Sequence, residues 1–507
     1  MNAGLPPRSR RRQPAQILFC AAAAISLAQS ATAAPSSETD SAWAALDRRP
    51  NPAWFDDAKL GIFIHWSVFS VPAVAWVYPD KPYGYGGHSC WYGLYVDRLR
   101  PLRAPDQQAL VEVFHRKTYG DVPFKALAPL FKGEAFDPAQ WAALFKRAGA
   151  RYAFLTSNFH DGYCLWPSPF NPGWNSLDTG PKRDVLGDFS AAMRAAGLRA
   201  GFYYSLGEFN HPLYQAARQP GGDLQPFVRQ HLQPQLREAV NRYHPSFLYF
   251  DGEWEFPLDA FDMRDFLSWL YNASPCKDDV VVNDRFGRGS RGKHGGVFSS
   301  EAGVRESGTA HRWCEDRPLS RGNWSYNRFE RLEDYLGARD LIHLLVETVA
   351  EGGNLHVAIS PSGDGAIPMI QQERLVQLGD WLRLNGEAIY DTRPWTVSNE
   401  GPLVESLNPH LDAKWHWTET RQRPLVHYTR KGSTLYAICL AQPPSPLLLT
   451  AAKSLNVRAV TLLGTQHKVP WTMTDSGLRL TLPPALPGHH AWTFQIEQRK
   501  LGTPSKP

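Results

Sequence analysis

The feature that most constrains this chain is a recurring unit: an amphipathic helix, a short turn and a buried-type run. Its clearest copy begins at Asp137-Pro138, where an aspartate suited to capping precedes a proline suited to the first helical turn. Trp141, Leu144, Phe145 and Ala148 follow at i, i+3, i+4 and i+7, Gly149 ends the helix, and Tyr152-Ala153-Phe154-Leu155 reads as a strand. A second copy sets Phe189, Ala192, Met193 and Ala196 on one face, closes at Gly197 and continues into Leu198 to Tyr204. In a third, Val228, Leu232, Leu236 and Val240 precede His244-Pro245 and the strand-like Ser246 to Phe250. Helix and buried strand in alternation predict a parallel sheet covered by helices.

Further strands are predicted at Leu60–Ile64, Val280–Val282 and Leu355–Ile359. With roughly 350 residues and about eight such units, a closed (β/α)8-like barrel fits better than an open doubly wound sheet. No glycine-rich fingerprint opens a helix, which counts against nucleotide binding. After Trp395 the helical period fades and short alternating runs take over, at 425–428, 434–439, 457–462, 478–480 and 492–496, with Lys431-Gly432-Ser433 as a hairpin turn. The predicted organisation is an α/β barrel catalytic domain over 35–394 and a C-terminal β-sandwich over 395–507, with frayed ends from Ser36 and at Thr503 to Pro507.

Residues 1–34 read as an export signal. Arg8, Arg10, Arg11 and Arg12 precede a short apolar run from Ile17 to Leu27, and Ala31-Thr32-Ala33-Ala34 provides small residues for cleavage. The run is too short to span a bilayer, which needs roughly 20 apolar residues, so the chain is expected to be exported to the periplasm or secreted, without a membrane span. A formal charge of +5 would otherwise suggest a polyanionic partner. Without the four leader arginines, 50 basic residues face 49 acidic ones, and no nucleic-acid partner is expected. Cys90, Cys164, Cys276, Cys314 and Cys439 are odd in number and contain no Cys-x-x-Cys pair, so neither a disulfide framework nor a zinc motif is indicated.

Barrel enzymes carry their chemistry at the C-terminal strand ends. Those ends are polar here: His65-Trp66, Asn158-Phe159-His160-Asp161, Ser205 with Glu208, Asp251-Gly252-Glu253-Trp254-Glu255 and Asn283-Asp284-Arg285. Asp-Gly alone is a common turn dipeptide, but five polar endings in register exceed what turns explain. Paired carboxylates with an arginine, histidines and aromatic faces suit glycoside hydrolysis: one carboxylate attacks or activates water, and the other protonates the leaving oxygen. A metal centre is the rival use of such residues. No His-x-x-x-His or comparable close spacing occurs, and neither metal nor cofactor is expected.

At these residues the sequence resembles the retaining α-L-fucosidases of glycoside hydrolase family 29, from Trp54 to the end of the chain. The resemblance is carried by Lys59-Leu60-Gly61-Ile62-Phe63-Ile64-His65-Trp66, His160-Asp161-Gly162, Tyr203-Tyr204-Ser205-Leu206, Phe250-Asp251-Gly252-Glu253-Trp254, Val282-Asn283-Asp284-Arg285 and Asn385-Gly386-Glu387-Ala388-Ile389-Tyr390. It implies a cofactor-free double displacement on a fucosylated oligosaccharide or glycoconjugate. Asp251 falls on the family's nucleophile, and His65, Trp91, His160, Tyr203 and Arg285 fall on its sugar-lining positions. The acid/base lies on a variable loop; His294 to Glu301 resembles one family version, making Glu301 the choice ahead of Glu306 and Glu315.

Two departures bear on the substrate. Cys90-Trp91-Tyr92 stands where many members have Glu-Trp-Tyr, and Asn158-Phe159-His160-Asp161 where they have Lys-His-His-Asp or Lys-His-His-Glu. Both lost side chains contact sugar hydroxyls in the family. The stretch Ala75 to Ser89, with Asp80 and His88, offers replacements. The sugar is therefore expected to be L-fucose held differently or a relative such as L-galactose, and the third alternative is a non-catalytic carbohydrate-binding protein.

Overall fold

The computed structural model describes residues 37–78, 85–301, 311–320, 322–406, 410–411, 417–418, 421–465 and 467–499. The leader-like residues 1–34, Asp80, Glu306 and the tail from Thr503 lie outside them. The chain divides into Met1–Ser41 and a compact unit Ala42–Pro507, and the second is described below.

Its centre is a parallel eight-stranded sheet curled into a barrel. The strands are β1 (Leu60–Ile64), β2 (Tyr152–Asn158), β3 (Arg199–Ser205), β4 (Phe247–Asp251), β5 (Val281–Val282), β6 (Phe298–Glu301), β7 (Trp313–Pro318) and β8 (Asn354–Ile359). The order β5-β4-β3-β2-β1-β8-β7-β6 closes β1 against β8 and leaves β5 and β6 as the two edges. At that seam the N–H groups of Gly296 and Val297 reach the Val282 carbonyl, at 3.0 and 3.1 Å, in place of a ladder. The predicted barrel is thus observed, with a seam between β5 and β6.

The local signals act as expected. Asp137 accepts from the N–H groups of Ala139 and Gln140 at 2.9 and 3.0 Å, starting the helix Pro138–Arg147, whose Trp141 and Phe145 are buried. Gly149, at φ +88°, then turns the chain toward β2 through a left-handed conformation that costs glycine little. The predicted strand runs at 60–64, 152–155 and 355–359 fall within β1, β2 and β8.

Strands β6 and β7 were not expected. Trp313-Cys314-Glu315-Asp316-Arg317-Pro318 looks like a polar loop, yet all of it is buried. Its charges are satisfied on both faces of the strand: Arg317 meets Glu315 at 2.8 Å on one, and Asp316 meets His356 at 2.6 Å on the other.

From Arg393 onward the strands are antiparallel. Strands 457–462, 492–498, 434–439, 421–431 and 393–406 form a five-stranded sheet in that order, and 447–449, 477–480 and 471–474 a three-stranded one. Leu435, Val460, Phe494 and Ile496 from the larger sheet share an apolar core with Leu449, Leu478 and Leu480 from the smaller. The predicted hairpin is present, Lys431 pairing with Thr434 across Gly432-Ser433. Arg423 of this region pairs with Glu347 on the barrel helix Ala338–Ala350, both buried. Cys90, Cys164, Cys276, Cys314 and Cys439 are free and buried. Among the described residues no helix is long and apolar enough to cross a membrane.

Candidate active site

A cavity of about 590 Å³ opens at the C-terminal ends of the strands. Asp251, the last residue of β4, reaches into it, and Gly252 follows at φ +92°, a conformation that favours glycine. That turn brings the Gly252 N–H onto Asp251 Oδ1 at 2.9 Å. Arg285 Nη2 lies 2.6 Å from Oδ1, while the Tyr203 hydroxyl donates to Oδ2 at 2.8 Å and His160 Nε2 lies 3.5 Å from it. Burial alone would raise this carboxyl's pKa. The Arg285 charge, followed by His160 and Tyr203, more than offsets that and holds it well below the usual carboxylate range. Asp251 is therefore an anion in the resting site, held by several donors at once.

Arg285 links the carboxylates. Its Nη1 lies 3.0 Å from Glu301 Oε2 at the end of β6, and its Nε lies 3.3 Å from Glu253 Oε2. Burial opposes its charge, but Asp251 and Glu253 raise its pKa well above the ordinary value. Glu253 is shifted upward by burial and by the nearby Asp251 charge, against the pull of Arg285.

The residues just before Arg285 are structural. Asn283 exchanges two hydrogen bonds with the Phe250 backbone, both at 2.9 Å, replacing ladder bonds where β5 is short. Asp284 accepts from the Gly292 and Ser299 N–H groups at 2.9 and 3.0 Å, tying the β5–β6 connection to the strand that delivers Glu301.

His65, at the end of β1, also lines the cavity. Burial drives its pKa down to about 3, so the ring is neutral, and neither ring nitrogen has a hydrogen-bond partner among the described residues. A buried, unsatisfied imidazole at a cavity wall is a ready partner for a ligand hydroxyl. His160 is fixed by Ser205 Oγ at 2.6 Å from Nδ1, and Trp91 packs edge-on against its ring at 5.4 Å. Trp91 and Trp254 are roughly parallel, centroids 6.1 Å apart, and the Arg100 guanidinium lies 4.2 Å from the Trp91 centroid.

The site thus brings together Asp251, Glu301, His65, Trp91, Tyr203 and Arg285 as cavity lining, with His160 touching Asp251. Cys90 and Phe159, the two departures, also line it, as does His88. Glu315 does not: it is buried below the rim, receives the Ser300 hydroxyl at 2.6 Å and pairs with Arg317. Glu208 and Asp161 are likewise spent on structure, Glu208 with His231 and Asn158, Asp161 with the Tyr163 N–H. Sequence reasoning missed Tyr249 and Trp324, which line the cavity too. Tyr249 sits inside an apolar run that reads as core, and Trp324 follows β7, a strand with no apolar signature.

Among the described residues one trio could hold a metal: Cys314, Asp316 and His356, with donor atoms within 4.8 Å of one another. His356 Nδ1 lies 2.6 Å from Asp316 Oδ1, a hydrogen-bond separation.

Residues 26–387 match the family model described as Alpha-L-fucosidase, and residues 419–497 match Alpha-L-fucosidase C-terminal domain. The chain is 38% identical to the tissue alpha-L-fucosidase of Bos taurus over 463 residues, covering 90% of each protein. It is 38% identical to the tissue alpha-L-fucosidase of Homo sapiens, covering 90% of this chain and 91% of the relative. It also resembles the crystal structure of Thermotoga maritima alpha-fucosidase in complex with a mechanism-based inhibitor, at a TM-score of 0.70 and 30% identity over 90% of this chain and 99% of that one.

Proposed function

The chain belongs to the alpha-L-fucosidase family and is a glycoside hydrolase acting on α-L-fucosides, and from that premise we propose a retaining double displacement with Asp251 as nucleophile and Glu301 as acid/base. The observation that carries the assignment is one guanidinium, Arg285, with Nη2 2.6 Å from Asp251 and Nη1 3.0 Å from Glu301 at the cavity wall.

In the first step the Asp251 carboxylate attacks the anomeric carbon while Glu301 delivers a proton to the departing glycosidic oxygen, giving a fucosyl ester on Asp251. In the second, Glu301 takes a proton from water, the water oxygen attacks the same carbon, and Asp251 leaves as a carboxylate. The negative charge moves from Asp251 to Glu301 and back. Arg285 touches both, so its cation stays next to whichever carboxylate is ionised without having to move. Tyr203 and His160 steady Asp251, His65 offers unsatisfied nitrogens to a sugar hydroxyl, and the Trp91 face suits the apolar side of the ring.

The substrate in this reading is terminal α-L-fucose on an oligosaccharide or glycoconjugate. A second reading, an L-fucose-like sugar, is favoured by the thiol of Cys90 and the ring of Phe159 on the cavity wall, where stronger polar partners for hydroxyls would otherwise stand. Export to the periplasm or medium belongs to the same proposal, on the strength of residues 1–34. Hydrolysis of aryl α-L-fucoside and α-L-galactoside by the wild type and Asp251→Gly, followed by NMR of the first sugar released, tests these points. Inverted product, or undiminished hydrolysis by Asp251→Gly, would overturn the mechanism.

A further inference from the structure

A row of side chains runs across the barrel interior, and the proposed chemistry uses only its last member, Glu301. The register pairs Tyr152 of β2 with Gly61 of β1, Gly61 with His356 of β8, His356 with Asp316 of β7, and Asp316 with Glu301 of β6. Registered partners in a parallel ladder face the same side, so these strands present one row to the barrel interior, ending at Glu301. Gly61 leaves a gap in that row. A Cβ there would lie 2.6 Å from the Tyr152 ring and 3.1 Å from His356, so the gap lets Tyr152 reach across β1.

The Tyr152 hydroxyl lies 2.5 Å from His356 Nε2, and His356 Nδ1 lies 2.6 Å from Asp316 Oδ1. On the other side of the carboxylate, the Tyr249 hydroxyl donates to Asp316 Oδ2 at 2.7 Å. Arg285 Nη1 in turn donates to the Tyr249 oxygen at 3.3 Å. Asp316 and His356 are fully buried. Burial pushes both tyrosine hydroxyls well above their ordinary pKa, so both keep their protons. Tyr152 then donates to Nε2, His356 presents Nδ1–H to Asp316, and Tyr249 spends its own proton on Asp316. Its oxygen is left with lone pairs facing Arg285. The Tyr249 ring is confined, stacked on Tyr203 at 5.9 Å and on Phe154 at 5.7 Å.

We infer that Asp316, acting through Tyr249, is a positioning residue that fixes the oxygen on which Arg285 Nη1 rests and so sets the angle at which the guanidinium meets Asp251 and Glu301. This rests on the proposed roles of those two carboxylates. It assigns a catalytic consequence to a buried row that otherwise reads as core.

The test is a pair of full-length variants, Tyr249→Phe and Asp316→Asn, with kcat and KM for an aryl α-L-fucoside measured across pH beside thermal melting. Displacing a catalytic group by a fraction of an ångström to 1 Å costs up to about 100-fold, so kcat is expected to fall about 10- to 100-fold with KM changed less than about threefold. Both variants should also move the acidic limb of kcat/KM to higher pH, because a loosened Arg285 holds Asp251 less firmly as an anion. The double variant should lose no more than the more impaired of the two single variants, since both cut the same path. Folded variants whose pH profiles superimpose on the wild type would overturn the inference, whatever their melting temperatures. If Asp316→Asn fails to fold, Tyr249→Phe, which removes one oxygen, decides alone. Asp251→Gly assayed in parallel separates the two readings: if it keeps full activity the nucleophile assignment fails, and if it is inactive while the relay variants behave as wild type, only the relay fails.

Discussion

Asp251 and Arg285 meet across neighbouring strand ends with Oδ1 2.6 Å from Nη2, and this contact does more than any other to keep the carboxylate ionised in a buried place. Without it, burial would dominate and the carboxyl would tend toward its neutral, non-nucleophilic form.

Arg285→Gln should therefore lower kcat/KM by about 100- to 1,000-fold, the range for losing one fixed donor at a site of developing charge. The pH dependence has a definite sign. In the proposed mechanism Asp251 must be ionised to attack, and its pKa is depressed, so the wild type keeps this carboxylate charged far into acid. In the variant that pKa rises, and the acidic limb of the kcat/KM profile moves to higher pH. Steady-state kinetics in buffers spanning acid to neutral pH would check both; an unmoved limb counts against Arg285 as the cause.

Glu301→Ala should depend on the leaving group. A glycoside whose aryl group departs without a proton should lose far less rate than an oligosaccharide, for which general-acid catalysis contributes about 100- to 10,000-fold. Azide should restore turnover by taking the place of the activated water, forming a glycosyl azide that NMR or mass spectrometry identifies. Equal losses on both substrates, with no azide product, would move the acid/base role elsewhere.

Cys90→Trp tests whether that wall faces the sugar. Cys90 is buried at the cavity, and an indole there would fill space that the ring needs. KM should rise at least about tenfold at an unchanged fold by circular dichroism, whereas Cys90→Ser, which keeps the volume, should change KM only a few-fold. A Trp variant with wild-type KM would place the sugar on another wall.

The buried pair of Glu347 and Arg423 joins a barrel helix to the antiparallel sheet. Arg423→Ala would leave Glu347 charged, buried and unpaired, at a cost of about 3–5 kcal/mol, while Glu347→Gln with Arg423→Met should be far milder. Urea unfolding of the two variants compares them; equal midpoints would mean that the pair carries no stability of its own.

Much of this was legible in the sequence, for a physical reason. Strands such as Tyr152 to Leu155 are apolar because both faces are buried, and the caps at Asp137 and Gly149 are local chemistry, so both announce themselves. β6 and β7 do not, because Glu315, Asp316 and Arg317 are buried as mutually paired charges, and partners such as His356 are distant in sequence. For the site, the strand-end position of Asp251 and Arg285 was readable, while the choice of Glu301 needed a family resemblance. Tyr249 was hidden by apolar neighbours, since nothing in Phe247-Leu248-Tyr249-Phe250 says that one hydroxyl meets an arginine.

The open seam between β5 and β6 has a consequence for how such an enzyme can change. Arg285 follows one edge and Glu301 ends the other, and no ladder joins β5 to β6. Residues inserted in that connection away from the Arg288–Pro257 bridge and from the Gly292 and Ser299 partners of Asp284 need break no ladder of the sheet, so the reach of the proposed acid/base can be altered by loop grafting while Asp251, laddered to Ser205 of β3, stays where it is. Variation in the aglycone accepted is thereby separable, in evolution and in the laboratory, from preservation of the proposed nucleophile.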